Sequence, residues 1–211
     1  MSFSIFSKIK LNRAFTLVEL IVVMAIATVM MTVLVVQQNQ WNDSLVVSTQ
    51  AYEMTLMIRQ AQVYSLGVRE DTAGTGDKFD VGYGVYIDVN TPDRYTFFAD
   101  RNGNKSYDPE EEVETKTLTR GVTIDKICGI HQGNNDEKCS IGFQQLDEIN
   151  ISFFRPEPKA NINFLRVNVN GGKDIVPLNP PVMIYLKSSG NKQYKVTVEI
   201  SGEISVAPVT P

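Results

Sequence analysis

Residues 15–36 read FTLVELIVVMAIATVMMTVLVV, a run of 22 residues with one charge, Glu19, and no Pro or Gly. At the usual helical rise this run spans roughly 33 Å, which matches a bilayer core of about 30 Å. Lys8, Lys10 and Arg13 precede it with no acid among them. Such flanking charges stay on the cytoplasmic side, which sends the rest of the chain outward. Three other readings compete. A cleaved secretory signal would use Ala25-Ile26-Ala27, yet the apolar run continues well past Ala27 and holds Glu19 inside it. A buried soluble helix would need apolar partners on every side. A plain membrane anchor leaves Glu19 unexplained.

Glu19 is the informative residue. A carboxylate in hydrocarbon costs about 2.5–3.5 kcal/mol even on insertion scales, so such residues usually have a partner and a task. A cut between Ala14 and Phe15 would create that partner. Phe15 would gain a free amine, positive near neutral pH, one helical turn before Glu19. In a filament, the Glu19 of one subunit could neutralise the Phe15 amine of a neighbour and favour one axial register. Pairing offsets much of the burial penalty that either charge would carry alone.

The stretch RAFTLVELIVVMAI, residues 13–26, resembles the processing and methylation motif of type IV pilins and pseudopilins. The resemblance implies cleavage after Ala14 and N-methylation of Phe15 by a membrane-embedded aspartyl prepilin peptidase. It also places Glu19 at the acidic fifth mature position, in an assembly role. One departure is Ala14, where the family usually has Gly.

The helical pattern continues beyond the apolar run. Trp41, Leu45, Tyr52, Leu56, Val63 and Leu66 recur at helical spacings. They are expected to form the stripe on which a head domain packs. Gln37, Gln38, Asn39 and Gln40 supply polar positions. No proline occurs before Pro92, and Gly67 is the first glycine and the expected stop. After Gly67 the texture becomes β. Val81–Val89 and Arg94–Ala99 flank a turn at Asn90–Asp93. Further segments follow at Val113–Thr119, Val122–Ile127, Ile149–Phe154 and Asn161–Val169, the last with a slip at Phe164-Leu165 read as a bulge. Val182–Leu186, Tyr194–Ile200 and Ile204–Val206 complete the set. The expected fold is α+β: a long N-terminal helical spine, transmembrane in its first half, packed against an antiparallel sheet or sandwich. The expected segments are a basic leader at 1–14, a transmembrane or filament-core helix at 15–36, an amphipathic helix at 37–66, a β-rich head at 67–206 and a tail at 207–211.

The head offers one candidate site. In Asp100–Glu111, oxygen side chains fall at Asp100, Asn102, Asn104, Asp108 and Glu111, positions one, three, five, nine and twelve. This is the ligand spacing of a Ca²⁺-binding EF-hand loop, with Lys105 where Gly normally stands at position six. The competing reading is a solvated acidic turn on a hairpin. Cys128 and Cys139, beyond a membrane span, point to one disulfide in an oxidising compartment, against two unpaired thiols. His131, the only histidine, would have to join both cysteines to hold zinc. No Walker A loop, G-x-S-x-G elbow or H-E-x-x-H motif occurs, so no catalytic residue and no enzymatic activity is expected.

The net charge is −4, and without Lys8, Lys10 and Arg13 the 20 basic residues become 17 against 24 acidic. An acidic head gives no general support for nucleic-acid binding. GYGVYIDV, YTFFADRNGNKSYDPEEE and VTVEISGEISV resemble segments of the H-type minor pseudopilins of type II secretion and related minor pilins. That resemblance implies a tip or initiating subunit in the bacterial inner membrane, single-pass, with its head outside. Its expected partners are other pilin or pseudopilin subunits, the prepilin peptidase, the inner-membrane assembly platform and the lipid bilayer. The alternatives are a tip module that binds a ligand in adhesion or DNA uptake, and an ectodomain held by one uncleaved helix.

Overall fold

The computed structural model describes residues 15–67, 70–71, 79–133, 135–140, 146–168 and 172–209, and for 36–41 the backbone only. Lys8, Lys10, Arg13 and Ala14 lie outside the described residues, as do the side chains of Gln37, Gln38, Asn39, Gln40 and Trp41. The chain divides into two compact units, Met1–Trp41 and Asn42–Pro211. One helix, α1 (Leu17–Leu66), contributes to both. In the first unit, Leu17–Val35 has a mean hydropathy of 2.6 and none of it is buried. By length and composition this segment can cross a membrane.

In the second unit the helix buries one face. Val47, Ala51, Met54, Ile58 and Ala61 have no solvent exposure and join the main core. Their spacing of four, three, four and three keeps them on one side of a 3.6-residue helix. This corrects the expected stripe. Leu45, Tyr52, Leu56 and Val63 are 56–67% exposed and Leu66 is 39% exposed, so they lie off the buried face. Polar residues tie the helix to the sheets. Gln62 donates from Nε2 to the carbonyls of Pro158 and Gly202, both at 3.1 Å. Ser65 Oγ accepts the Tyr83 N–H at 2.8 Å, and Gln50 Oε1 accepts the Thr119 N–H at 3.2 Å. The helix stops at Gly67, whose N–H bonds the Val63 carbonyl at 2.9 Å.

Among the described residues eleven strands follow: β1 (Gly82–Asp88), β2 (Arg94–Asp100), β3 (Glu112–Thr117), β4 (Thr123–His131), β5 (Glu137–Cys139) and β6 (Glu148–Phe153), then β7 (Ala160–Val167), β8 (Lys173–Ile175), β9 (Leu178–Lys187), β10 (Gln193–Val198) and β11 (Ile204–Pro208). They form two antiparallel sheets, ordered β3-β2-β1-β6-β7-β8 and β11-β10-β9-β4-β5. The last strand runs through Ala207 and Pro208, past the expected start of the tail.

Register sorts the first sheet into two faces. Val85 pairs with Phe97 and with Ile151, and all three are core residues with at most 1% exposure. One step along, Tyr86 pairs with Thr96 and with Asn150, on the opposite face. The β6–β7 pairing is regular through Phe164 and Leu165, so the expected bulge is absent there. Both residues are buried because both faces of that strand are covered. Where β4 passes β7 the approach is close: a Cβ on Gly129 would lie 2.7 Å from the buried Phe164 ring. Helix, first sheet and second sheet all contribute to one continuous hydrophobic core.

Candidate functional site

At its N-terminus α1 is capped by the chain itself. Thr16 Oγ1 accepts the Glu19 N–H at 3.2 Å, and the Thr16 carbonyl accepts the Leu20 N–H at 3.2 Å. Thr16 is thus the N-cap and Glu19 the third helical residue. T-x-x-E is the sequence signature of a capping box, a signal present in the chain that the reading of Glu19 as a membrane acid passed over. An acid in the first turn also complements the helix dipole. Phe15 is 70% exposed, and among the described residues Glu19 makes no ion pair. Ala14, the residue before the expected cut, lies outside the described residues.

The loop from Asp100 to Glu111 closes on itself. Asp100 ends β2 and is 2% exposed. Its Oδ1 accepts the N–H groups of Gly103 (2.7 Å) and Asn104 (3.1 Å), and its Oδ2 that of Lys105 (2.7 Å). Glu111, 3% exposed, sits in a 3-10 turn at Pro109–Glu111. It accepts the N–H groups of Arg101 (2.9 Å), Asn102 (3.2 Å) and Asp108 (3.3 Å). Asp108 Oδ2 accepts from Asn102 Nδ2 (2.8 Å) and Asn104 Nδ2 (2.9 Å). All five expected oxygen side chains therefore belong to one connected network. Lys105 has φ of 63°, the left-handed conformation that Gly supplies at position six of an EF-hand loop. The residue departs from the pattern and the backbone does not. Burial pushes the Asp100 and Glu111 carboxyls up, against the lowering effect of their N–H donors.

The loop is anchored to the outer face of the first sheet. Tyr107 stacks on Tyr86 at 4.5 Å and meets Phe98 edge-on at 5.8 Å. Its N–H bonds Asn150 Oδ1 at 3.0 Å, and Asn163 Nδ2 donates to the Lys105 carbonyl at 2.8 Å. Glu148 ion-pairs with Lys173 at 2.9 Å. Burial, with the Glu148 charge behind it, pushes the Tyr86 hydroxyl far up. None of these anchoring side chains was singled out from the sequence, because each depends on cross-strand register.

Cys128 and Cys139 are joined by a disulfide and sit opposite each other in β4 and β5. Among the described residues, the one cluster of three metal-ligand side chains with donor atoms within 4.8 Å is Cys128, Glu137 and Cys139. Its two thiols are consumed by the bond, which closes the zinc reading. His131 Nδ1 accepts the Gly133 N–H at 3.1 Å. An open groove of about 550 Å³ lies between the helix and the turn before β4, lined by Leu45, Thr49, Gln50, Glu53 and Arg120 among others.

No curated protein and no solved structure matches the chain. The apolar helix is long and apolar enough to cross a membrane once, which fits a membrane-anchored, single-pass protein. Residues 9–35 match the family model of the prokaryotic N-terminal methylation motif, and the chain thereby carries the type IV prepilin-like signature.

Proposed function

We propose that this chain is a minor pilin or pseudopilin, a non-enzymatic subunit that assembles through its N-terminal helix into a type IV pilus or a type II secretion pseudopilus. The observation that carries the reading is Glu19, the single charge in an apolar helix that bears the methylation motif. Cleavage after Ala14 leaves the Phe15 amine free, and the Glu19 of a neighbouring subunit neutralises it. The pair sets the axial register, since either charge alone in apolar surroundings is costly. Thr16 stays on the mature side of the cut, so its capping bond to Glu19 survives processing. The partners are other subunits of the same class, a prepilin peptidase, an inner-membrane assembly platform and the bilayer. Leu45, Tyr52, Leu56 and Val63, exposed on the same helix, supply apolar surface for helix packing between subunits.

The test is mass spectrometry of the N-terminus in cells that carry the peptidase, paired with Glu19→Ala. The expected mature chain begins at N-methyl-Phe15. Glu19→Ala is expected to be cleaved but to enter filaments at least tenfold less, the equivalent of about 1.4 kcal/mol. A working protein that still begins at Met1, or a Glu19→Ala chain that assembles normally, overturns the reading.

A further inference from the structure

We propose that the free edge of β11 pairs with β11 of a second copy of this chain, antiparallel about a two-fold axis at Val206. A sheet edge offers unpaired N–H and C=O groups, and proteins blunt such edges with charges, bulges or very short strands. The two sheets end in β3, β8, β11 and β5. β3 carries Glu112, Glu114 and Lys116 and shifts register against β2. β5 and β8 are three residues long and charged. β11 reads ISVAP, with no charge and a regular register against β10.

The ladder fixes which groups of β11 point outward. The Glu199 N–H bonds the Glu203 carbonyl at 2.9 Å, and the Val209 N–H bonds the Gln193 carbonyl at 3.0 Å. Both pairs continue the β10–β11 register, and hydrogen-bonded pairs alternate along an antiparallel ladder. Ser205 and Ala207 therefore bond β10, while the backbone groups of Ile204, Val206 and Pro208 turn away from it. Two observations agree with this parity. Pro208 has no N–H to give, and it stands at an outward position, as an edge proline does. The outward carbonyl of Ile204 accepts from Arg59 Nη2 of α1 at 3.3 Å. Among the described residues no other hydrogen bond reaches these outward groups.

The edge complements itself. With Val206 opposite Val206 of the second copy, the two residues exchange N–H···O=C bonds. Each Ile204 N–H then meets the Pro208 carbonyl of the other copy. The ladder lacks a donor only at the Ile204 carbonyl, which faces Pro208, and Arg59 already holds that carbonyl within the chain. Ser205 lies opposite Ala207 of the other copy. Both are small and exposed, so neither bulk nor like charge holds the strands apart. The contact is isologous and closes as a dimer. It uses no residue of the outward face of α1 that serves the assembly reading.

The experiment is sedimentation equilibrium of the full chain in detergent micelles, with two doubly substituted chains. Ser205→Lys with Ala207→Lys sets lysines opposite each other, and Ser205→Glu with Ala207→Glu does the same with acids. The unsubstituted chain is expected to dimerise, and each doubly substituted chain alone should do so about tenfold more weakly. An equimolar mixture of the two should recover dimers, because lysines then face glutamates. Val206→Pro removes the central donor without taking a bond from the β10 ladder and should also weaken the dimer. Circular dichroism checks folding, and the charge pair stands alone if Val206→Pro does not fold. An unsubstituted chain that stays monomeric up to about 0.1 mM overturns the proposal. Equal dimerisation in all chains, which would place the contact on α1, overturns it too, as does a mixture no more dimeric than its components. Cleavage at Ala14 and filament entry are not read here, so failure leaves the assembly reading intact.

Discussion

The two faces of α1 between Asn42 and Leu66 are both apolar, and only one is buried. The inner face holds Val47, Ala51, Met54, Ile58 and Ala61, while Leu45, Tyr52, Leu56 and Val63 face outward. The outward residues are, on the whole, the bulkier set. Hydrophobicity therefore does not decide which face meets the sheets; fit does. Two alanines on the inner face leave no side chain to hold the helix away. The nearby Tyr64 packs edge-on against Tyr83 and Phe97, at 5.6 and 5.8 Å. Interiors pack to crystal-like density, so a small residue in the right place serves better than a large one. Bulk on the outer face stays exposed in the chain by itself, and in the proposed assembly it is surface for another subunit.

Three substitutions sharpen or break that contrast. Ile58→Ala removes a fully buried side chain and should destabilise by about 2–5 kcal/mol in chemical denaturation of the purified chain. A loss no larger than that of an outward residue would erase the distinction. Gln62→Ala strips the buried Gly202 carbonyl and the part-buried Pro158 carbonyl of their donor and should cost about 1–3 kcal/mol, read from the same curves. Leu56→Ala should change fold stability by less than about 0.5 kcal/mol and yet reduce the fraction of chain recovered in filaments. If Leu56→Ala destabilises as much as Ile58→Ala, the outer face is part of the fold after all.

The sequence disclosed features that depend on neighbours along the chain. The 22-residue apolar run, its acid and its motif lie within one stretch. The β1–β2 hairpin was legible from two alternating segments around Asn90–Asp93, and its strands pair as expected. The oxygen spacing of the Asp100–Glu111 loop was legible as a pattern, though its anchoring by Tyr107, Asn150 and Asn163 was not. The inner face of α1 was missed because counting large apolar residues favours Leu45 and Tyr52 over Ala51 and Ala61. The start of β9 was missed because Pro180 and Pro181 lack an N–H for the ladder. The strand nonetheless begins at Leu178, and its pairing with β4 is irregular between Cys128 and Ile130, opposite those prolines. Strands of three residues, β5 and β8, carry too short a pattern to read and exist by pairing with a longer partner.

The bond between Cys128 and Cys139 acquires a mechanical meaning if a subunit is pulled from its ends. The two residues are 11 apart in sequence, so about 35–40 Å of contour length is withheld from any extension. Tension that peels β4 from β9 meets a covalent rivet before it can spool out the segment between the cysteines. A single molecule stretched in reducing buffer should lengthen by that extra amount, and one stretched without reductant should not.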